Sequence, residues 1–441
     1  MTMISFHRTW LSCLFACSVY FADAQNIYFP PLNNSSTWEK IDPASLGWCI
    51  DNVDALYQFL ENENTKGFIV LKDGRIVLEK YFGTFTQDSV WYWASAGKTI
   101  TAFLIGQAQE AGLLKISDQA SQYLGKGWTH CTPLQEEKIT IRHQLTMTSG
   151  LDDAVDDNHC LIDTCLIYKA DAGSRWAYHN APYTLLEKVL TDASGMAINT
   201  FTQVKLKNQT GITGAWFTVD YDNVFFSKVR SMARFGVLIQ NKGVWNMDTL
   251  LRNEQFFSQM INTSQNINLS YGYLWWLNGK PSYMVPGFQF FLPGPYAPSA
   301  PDDMVAGLGK NGQILSISPS KGIVIIRMGE KPNSSSSEIA TVLCDQIWQK
   351  LNTVMCNTTS VDDVPVLSFK IVPNPAVSKI TFFGMKQPIK RCEIFNRSGQ
   401  CVYNKTLQTD NINVSDLTDG LYYVRLTASN GHIYTAKFIK L

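Results

Sequence analysis

A serine and a lysine three residues apart could act as a nucleophile and its base. In Ser95-Ala96-Gly97-Lys98, both side chains would point the same way if a helix begins here, because residues three apart share one helix face. A serine hydroxyl is a weak nucleophile at neutral pH, and a lysine amine partly removed from water can activate it. At a helix start, Ser95 would also offer an unpaired backbone N–H to an oxyanion. The stretch therefore predicts covalent catalysis by Ser95.

The surroundings of Ser95 distinguish it from a second match at Ser318-Pro319-Ser320-Lys321. In the second match, proline and the following Gly322 indicate a turn between two apolar strands. Before Ser95, apolar runs on both sides of Lys72-Asp73-Gly74 predict a β-hairpin over residues 68–82. After it, apolar residues with helical spacing predict a helix over residues 99–114. Ser95 is thus expected where a sheet gives way to a buried helix.

A second candidate element is Tyr178-His179-Asn180, which precedes a predicted helix over residues 183–190. A tyrosine beside a lysine can relay a proton from a serine to a leaving group. An asparagine amide can orient the lysine and bind a substrate carbonyl. Tyr221-Asp222-Asn223 has the same spacing, but the helix that follows favours the first triplet.

These motifs resemble those of the serine β-lactamase and penicillin-binding superfamily, in its class C-like branch of esterases, aminopeptidases and 6-aminohexanoate-dimer hydrolases. The resemblance covers most of residues 60–330 and rests on residues 93–99, on Tyr178-His179-Asn180, and on the distinctive run of residues 139–151, ITIRHQLTMTSGL. It implies that Ser95 is the acylated nucleophile and that Lys98 and Tyr178 are the base and acid. It also implies that Asn180 helps to bind the substrate.

The third element of that family is a Lys/His-Thr/Ser-Gly triplet, or a glycine-rich variant, on the strand beside the active site. Lys310-Asn311-Gly312 imitates it and is the predicted substrate-binding segment, although a register ending at Gly309 is equally compatible with the sequence. Glycines allow close approach of a substrate to the strand backbone. We expect a backbone N–H near Lys310 to complete the oxyanion hole. The altered triplet argues against true β-lactamase activity.

The last 74 residues, 368–441, predict a small all-β sandwich of short strands. Their Val372-Pro373-Asn374-Pro375, the run over residues 392–402 and Leu417-Thr418-Asp419-Gly420-Leu421-Tyr422 resemble a type IX secretion (type A) sorting domain of Bacteroidota. The resemblance implies contact with that secretion machinery and delivery to the cell surface or medium. A β-sandwich binding module is the alternative. A polar stretch over residues 357–367 predicts a linker to the main domain, residues 25–356.

Both the N-terminus and the cysteines suggest export. Residues 1–24 predict a signal peptide, since His7 and Arg8 precede an apolar run that ends at Ala22-Asp23-Ala24. The mature chain then keeps eight cysteines, an even number typical of disulfides in an exported protein. Cys160 and Cys165 could close a small loop. A bridge between Cys392 and Cys401 would need a turn other than the one predicted at Arg397-Ser398, which places Cys392 opposite Tyr403.

Composition fits a large enzyme without polyanionic partners. The chain has 441 residues, 45% of them hydrophobic, and its 37 basic residues balance 37 acidic ones, which argues against nucleic acid as a partner. No run after the signal is long and apolar enough to span a membrane. The predicted fold is α/β of the α+β type: an antiparallel sheet flanked by helices with a helical subdomain, followed by the sandwich.

The predicted function is an exported serine hydrolase that acts on a small amide, ester or peptide substrate. We expect no metal or organic cofactor; the spacing of His159, Cys160 and Cys165 fits no zinc template. The alternative is a catalytically silent surface protein that binds peptidoglycan-like or peptide ligands in a penicillin-binding-type pocket. Ser95, Lys98 and Tyr178 together favour the enzyme, because a pure binding protein has no need of all three.

Overall fold

The computed structural model of the protein describes residues 27–32, 37–334, 339–356, 370–383, 388–396, 399–407, 411–429 and 433–441. The predicted signal peptide and the predicted linker at 357–367 lie outside the described residues.

The catalytic candidates lie around a six-stranded antiparallel sheet with strand order β2-β1-β13-β12-β11-β8. Its first two strands come from the start of the main domain and the rest from the end, as predicted from the two hairpins. The strands are, in chain order, β1 Thr65–Lys72, β2 Arg75–Tyr81, β3 Val90–Tyr92, β4 Ala215–Val219, β5 Asp222–Lys228, β6 Val244–Trp245, β7 Asp248–Thr249, β8 Trp276–Leu277, β9 Ser282–Tyr283, β10 Leu292–Pro293, β11 Val305–Gly309, β12 Gln313–Ser318 and β13 Ile323–Gly329.

Turn chemistry explains the hairpins at both ends of this sheet. Asp73 and Gly74, between β1 and β2, both have positive φ, 49° and 81°, as tight hairpin turns require. Pro319 to Gly322 joins β12 to β13, and Gly322 has a φ of 63°. Ser318 therefore lies at a strand end, where its hydroxyl donates to Asp303 at 2.9 Å. The second Ser-x-x-Lys match is part of a turn.

Helices pack on the sheet and fill a subdomain between β3 and β4. They are α1 Val53–Asn62, α2 Lys98–Glu110, α3 Ser121–Leu124, α4 Pro133–Glu136, α5 Ile141–Leu145, α6 Asn180–Ser194, α7 Ile198–Thr202, α8 Asn208–Thr210, α9 Val229–Gln240, α10 Glu254–Met260 and α11 Thr341–Val354. Helix α9 lies against β13 and β12, and Gly236 permits this approach, because a Cβ there would lie 2.4 Å from Val324 Cγ1. The predicted fold class, a flanked antiparallel sheet with a helical subdomain, is confirmed.

The end of the chain forms its own all-β unit with its own apolar core. Two sheets, β14-β15-β18 and β17-β16-β19-β20, make it up, which confirms the predicted C-terminal β region. The strands are β14 Lys370–Val372, β15 Lys379–Phe383, β16 Ile389–Phe395, β17 Cys401–Thr406, β18 Asn411–Asn413, β19 Gly420–Ala428 and β20 Ile433–Lys440.

This unit touches the main domain through aromatic rings. The ring of Phe288 meets that of Tyr423 edge-on at 4.2 Å between centroids, and Phe290 stacks on Phe395 at 5.2 Å. The backbone of Gln289 lies beside Gly399, where a Cβ would come within 3.3 Å of the Gln289 nitrogen. The segment over residues 288–290 therefore forms a contact between the two units.

Two disulfides are present among the described cysteines. Cys49–Cys356 joins the beginning of the main domain to its end, and Cys160–Cys165 closes the small loop predicted for it.

Cys392 and Cys401 are unbridged. The register expected from a turn at Arg397-Ser398 is wrong: Cys392 faces Lys405. The hairpin closes between Asn396 and Gln400, and an irregularity between Ile394 and Phe395 shifts the pairing of β16 with β17 by one more residue. Within the described ranges, no helix has the length and apolar character needed to cross a membrane.

Candidate active site

Ser95 lies in a turn of 3₁₀ helix, Ala94–Gly97, which runs directly into α2. The preceding Trp93 anchors this turn: its backbone N–H donates to Phe225 O at 2.9 Å and its indole N–H to Ser227 Oγ at 2.7 Å. Ala94 has a φ of 46°, a conformation that residues other than glycine seldom adopt and that clusters at functional sites. The strained turn leaves Ser95 half-buried at the head of a helix otherwise enclosed in the core.

Lys98 sits directly between Ser95 and Asn180. Its Nζ donates to Ser95 Oγ at 2.9 Å and to Asn180 Oδ1 at 2.9 Å, and only 3% of the residue is exposed. Burial lowers the pKa of Lys98 to about 7, against an opposing effect of Asp222. A lysine with such a pKa is neutral in a large fraction of molecules at neutral pH, and in that form it can accept a proton from Ser95.

Aromatic rings enclose the Lys98 amine. The Nζ lies 4.0 Å from the centroid of the Tyr183 ring and 5.2 Å from that of Tyr178. Tyr178 is itself buried and stacks on Trp276 with centroids 5.9 Å apart. The structure thus brings together Ser95, Lys98, Tyr178 and Asn180, residues from two separate segments of the sequence.

The distinctive run over residues 139–151 positions the tyrosine segment. Met147 O accepts from the Ala177 N–H at 2.9 Å, and Thr148 O from the Gly173 N–H at 2.8 Å. Gly150 has a φ of 80°, and a Cβ there would lie 2.2 Å from Ala170 O. This run is therefore a support for Tyr178 rather than a source of reacting groups.

The third predicted element, at the end of β11, consists of glycines that pack against the turn of Ser95 and of the Lys310-Asn311-Gly312 segment that follows. The glycines of β11 pack against the turn that carries Ser95: a Cβ on Gly309 would lie 2.5 Å from Trp93 O, and one on Gly307 3.2 Å from Ala96 O. This close approach places the end of β11 beside the turn that carries Ser95. Lys310, the next residue, is exposed.

The remaining residues of the triplet are held by other groups. Asn311 has a φ of 62°, and its side-chain amide donates to the Tyr92 hydroxyl at 2.8 Å. The carbonyls of Asn311 and Gly312 both accept from Arg327 Nη1, at 2.6 and 2.9 Å. Because of these bonds, Asn311 and Gly312 shape the turn after β11.

Sequence reasoning missed a set of polar residues behind Asn180. The Asn180 amide nitrogen donates to Asn158 Oδ1 at 3.0 Å and lies 3.1 Å from His159 Nε2. His159 Nδ1 is in turn 2.7 Å from Asp222 Oδ2. Asp222 is the middle residue of Tyr221-Asp222-Asn223, the second Tyr-x-Asn match, so this triplet lies next to the site. No pattern in the sequence indicates that Asp222 contacts His159.

The arrangement combines a serine hydroxyl, a buried amine and a nearby backbone edge, which suits acyl transfer. Within the described ranges, no three His, Cys, Asp or Glu residues are grouped so that they could hold a metal ion. His143 is engaged elsewhere: its ring lies 3.0 Å from Thr140 Oγ1 at the start of α5.

The family model described as Beta-lactamase matches residues 60–342, a segment that contains every residue of this site. The chain belongs to the beta-lactamase family. A second model, described as Secretion system C-terminal sorting domain, matches residues 370–441. This beta-lactamase family protein therefore carries a type IX sorting domain, which indicates secretion or display at the cell surface. Both resemblances inferred from the motifs are confirmed.

Individual relatives are distant. An uncharacterized protein of Alkalihalophilus pseudofirmus is 23% identical over 314 residues, which cover 63% of this chain and 86% of that protein. A Bacillus anthracis structure with the provisional name 6-aminohexanoate-dimer hydrolase has a TM-score of 0.53 at 17% identity, covering 67% and 81% of the two chains. A penicillin-binding protein homolog from Caulobacter crescentus has a TM-score of 0.53 at 13% identity, covering 70% and 98%. At these identities, the structural likeness shows the fold alone.

Proposed function

We propose that this beta-lactamase family protein is an exported serine hydrolase that cleaves amide or ester bonds through an acyl-enzyme on Ser95. The observation that carries the proposal is the contact of a buried Lys98, with its pKa lowered to about 7, with the Ser95 hydroxyl at 2.9 Å. A buried lysine that stays charged is normally paired with a carboxylate. Lys98 instead contacts a hydroxyl and an amide oxygen.

The first half of the proposed reaction forms the acyl-enzyme. Neutral Lys98 accepts the hydroxyl proton of Ser95 while Oγ bonds to the substrate carbonyl carbon. The resulting oxyanion accepts hydrogen bonds from the Ser95 N–H and from a backbone N–H at the end of β11, near Lys310. Collapse breaks the bond to the amine or alcohol, which leaves with the proton from Lys98, passed directly or through Tyr178.

The second half releases the acid. A water molecule gives one proton to the base formed by Lys98 and Tyr178 and adds its oxygen to the acyl carbon. When the bond to Ser95 Oγ breaks, Lys98 returns the proton to it. In this scheme Asn180 keeps Lys98 in place and supports the substrate carbonyl.

The test of the nucleophile is covalent labelling of purified mature protein with a fluorophosphonate and with a fluorescent penicillin. Ser95→Ala should abolish labelling and lower ester turnover by on the order of 10⁴-fold. Ser318→Ala is the matched control and should change neither, since Ser318 lies in the β12–β13 hairpin. A wild-type protein that is folded yet unlabelled and inactive would instead support the silent binding protein.

The substrate class is a matter for direct screening. p-Nitrophenyl esters, D-alanine dipeptides, 6-aminohexanoate oligomers and nitrocefin represent the four classes of ester, peptide, amide oligomer and β-lactam. The Asn311 amide is bonded to Tyr92, so we expect Asn311 and Gly312 to offer substrates little beyond their backbone. On that argument, nitrocefin should be the poorest of the four.

A further inference from the structure

Asn180 can perform its role in only one orientation of its amide group. Its Oδ1 accepts from Lys98 Nζ, while its Nδ2 faces Asn158 Oδ1 and His159 Nε2. A rotation of 180° about the last side-chain bond would turn the NH₂ group toward the Lys98 amine. It would also turn Oδ1 toward two acceptors, so the interaction with Lys98 would be lost.

The tautomer of His159 decides whether that orientation is favoured. Asp222 Oδ2 lies 2.7 Å from His159 Nδ1, and a carboxylate can only accept hydrogen bonds, so this contact favours the tautomer of a neutral His159 with its hydrogen on Nδ1. Nε2 then has a free lone pair and can accept from Asn180 Nδ2 at 3.1 Å. Asp222 stays ionised: burial alone would raise its pKa, but the contact with His159 and the charge of Lys98 lower it overall.

The loop that carries His159 is held on both sides of this residue. The His159 N–H donates to Asp157 Oδ1 at 2.9 Å, and the next residue, Cys160, forms the disulfide with Cys165. Asp222 begins β5, the strand whose far end pairs with β3 just before the nucleophile turn. Each member of the pair is therefore fixed by its own segment of the chain.

We propose that His159 and Asp222 are positioning residues that fix the Asn180 amide, and through it hold Lys98 Nζ against Ser95 Oγ. The inference rests on the proposed function. Neither residue touches Ser95; each acts through Asn180. The role differs from that of a histidine in a serine–histidine–aspartate triad, because the proton of Ser95 goes to Lys98.

The experiment measures the second-order rate constant for fluorophosphonate acylation of Ser95, together with the melting temperature. His159→Ala should lower the acylation rate about 10- to 100-fold, the range typical when a partner of an active-site group is lost. His159→Gln should restore most of the rate, because a glutamine amide can donate to Asp222 and accept from Asn180. His130→Ala, at an exposed histidine outside the site, should leave the rate unchanged.

A double-mutant cycle tests whether the two residues act as one chain. Asp222→Ala should slow acylation, and the Asp222→Ala/His159→Ala double variant should be little slower than His159→Ala alone, since the chain is already broken. Fully additive losses would contradict a shared role.

The outcomes separate this inference from the proposed function. If wild-type protein is not acylated at all, the proposed function fails. If wild-type protein reacts and folded His159→Ala reacts equally fast, the positioning role is refuted and the proposed function stands. A folded His159→Gln as slow as His159→Ala would also overturn the inference, because hydrogen bonding alone would then not explain the role of the imidazole.

Discussion

At the scale of the residue, the pH dependence of catalysis should follow the protonation of Lys98. Because burial lowers its pKa to about 7, the neutral form that can accept a proton increases as pH rises through about 7. Acylation of Ser95 should therefore rise over about pH 6–8 and then level off, as measured by labelling rates on a pH-stable protein.

The Lys98→Arg substitution tests whether Lys98 acts as the base. Arginine keeps the positive charge but does not lose its proton at any pH that a protein tolerates. We expect acylation to collapse at every pH, without the rise near pH 7. Near-wild-type labelling of this variant would transfer the role of base to Tyr178 or a histidine.

Lys98 should also reduce the stability of the fold. Its pKa falls from 10.5 to about 7 on folding, so between these values the unfolded chain binds more protons than the native one. The free energy of unfolding should therefore rise with pH across this window. Lys98→Met should melt at a higher temperature than wild type at pH 7, and the difference should shrink towards pH 10. A Lys98→Met variant less stable than wild type at pH 7 would contradict the expected destabilising effect of Lys98.

The sequence identifies Ser95 and Lys98 because the two are neighbours on one turn, where spacing alone implies contact. It does not identify the contact of Asn180 with His159, which is 21 residues away, or that of His159 with Asp222 on another element. Such contacts depend on how loops and strands pack, which local periodicity does not encode.

At the scale of the element, the approach of β11 to the nucleophile turn depends on Gly309. A Cβ there would lie 2.5 Å from Trp93 O and 3.1 Å from Ala96 N. Both atoms belong to the backbone and cannot rotate away. Gly309→Ala should therefore push the strand from Ser95 and lower acylation by at least about 10-fold, since misplacement by about 1 Å can cost 10²-fold in rate.

The control for this substitution is Gly195→Ala at the end of α6. Gly195 has a φ of 67° with no atom within 4 Å of an added Cβ, so alanine there should cost about 1 kcal/mol of stability. Its acylation rate should equal that of wild type. Equal losses in the two variants would mean that the Gly309 effect is general instability.

Elements marked by turn residues or by a clear hydrophobic periodicity could be predicted from the sequence. The hairpins followed from turn residues, as the turn at Asp73 and Gly74 between β1 and β2 shows. The three-residue strands β14 and β18 escaped prediction because so short a segment shows no periodicity. The register after Gly309 could not be chosen either, since it depends on Arg327, a buried residue of β13 that binds two carbonyls of the turn.

At the scale of the whole molecule, the catalytic unit should work without its sorting domain. Each has a separate apolar core, and every candidate catalytic residue lies before residue 356. Residues 25–358, produced in a host without type IX secretion, should fold and hydrolyse esters at the full-length rate, as checked by melting and kinetics. Aggregation or loss of activity would show that the contact at Phe288 and Phe290 is needed by the catalytic fold.

In the native host, deletion of residues 368–441 should have the opposite consequence for location. The truncated enzyme should remain active and accumulate in the periplasm, as fractionation and labelling would show. Its normal appearance in the medium would overturn the sorting role.

The Cys49–Cys356 disulfide has a mechanical consequence for a protein moved by its tail. Residues 357–369 connect the sorting domain to Cys356, immediately beyond α11, and the Cys49 N–H bonds to Val354 O at 2.7 Å. Tension on the tail would otherwise peel α11 from α1 one turn at a time. With the disulfide closed, the load also passes covalently to Cys49, near the start of the sequence of the catalytic unit. Tension on the tail would then act on both ends of the catalytic chain at one place in the fold, instead of on α11 alone.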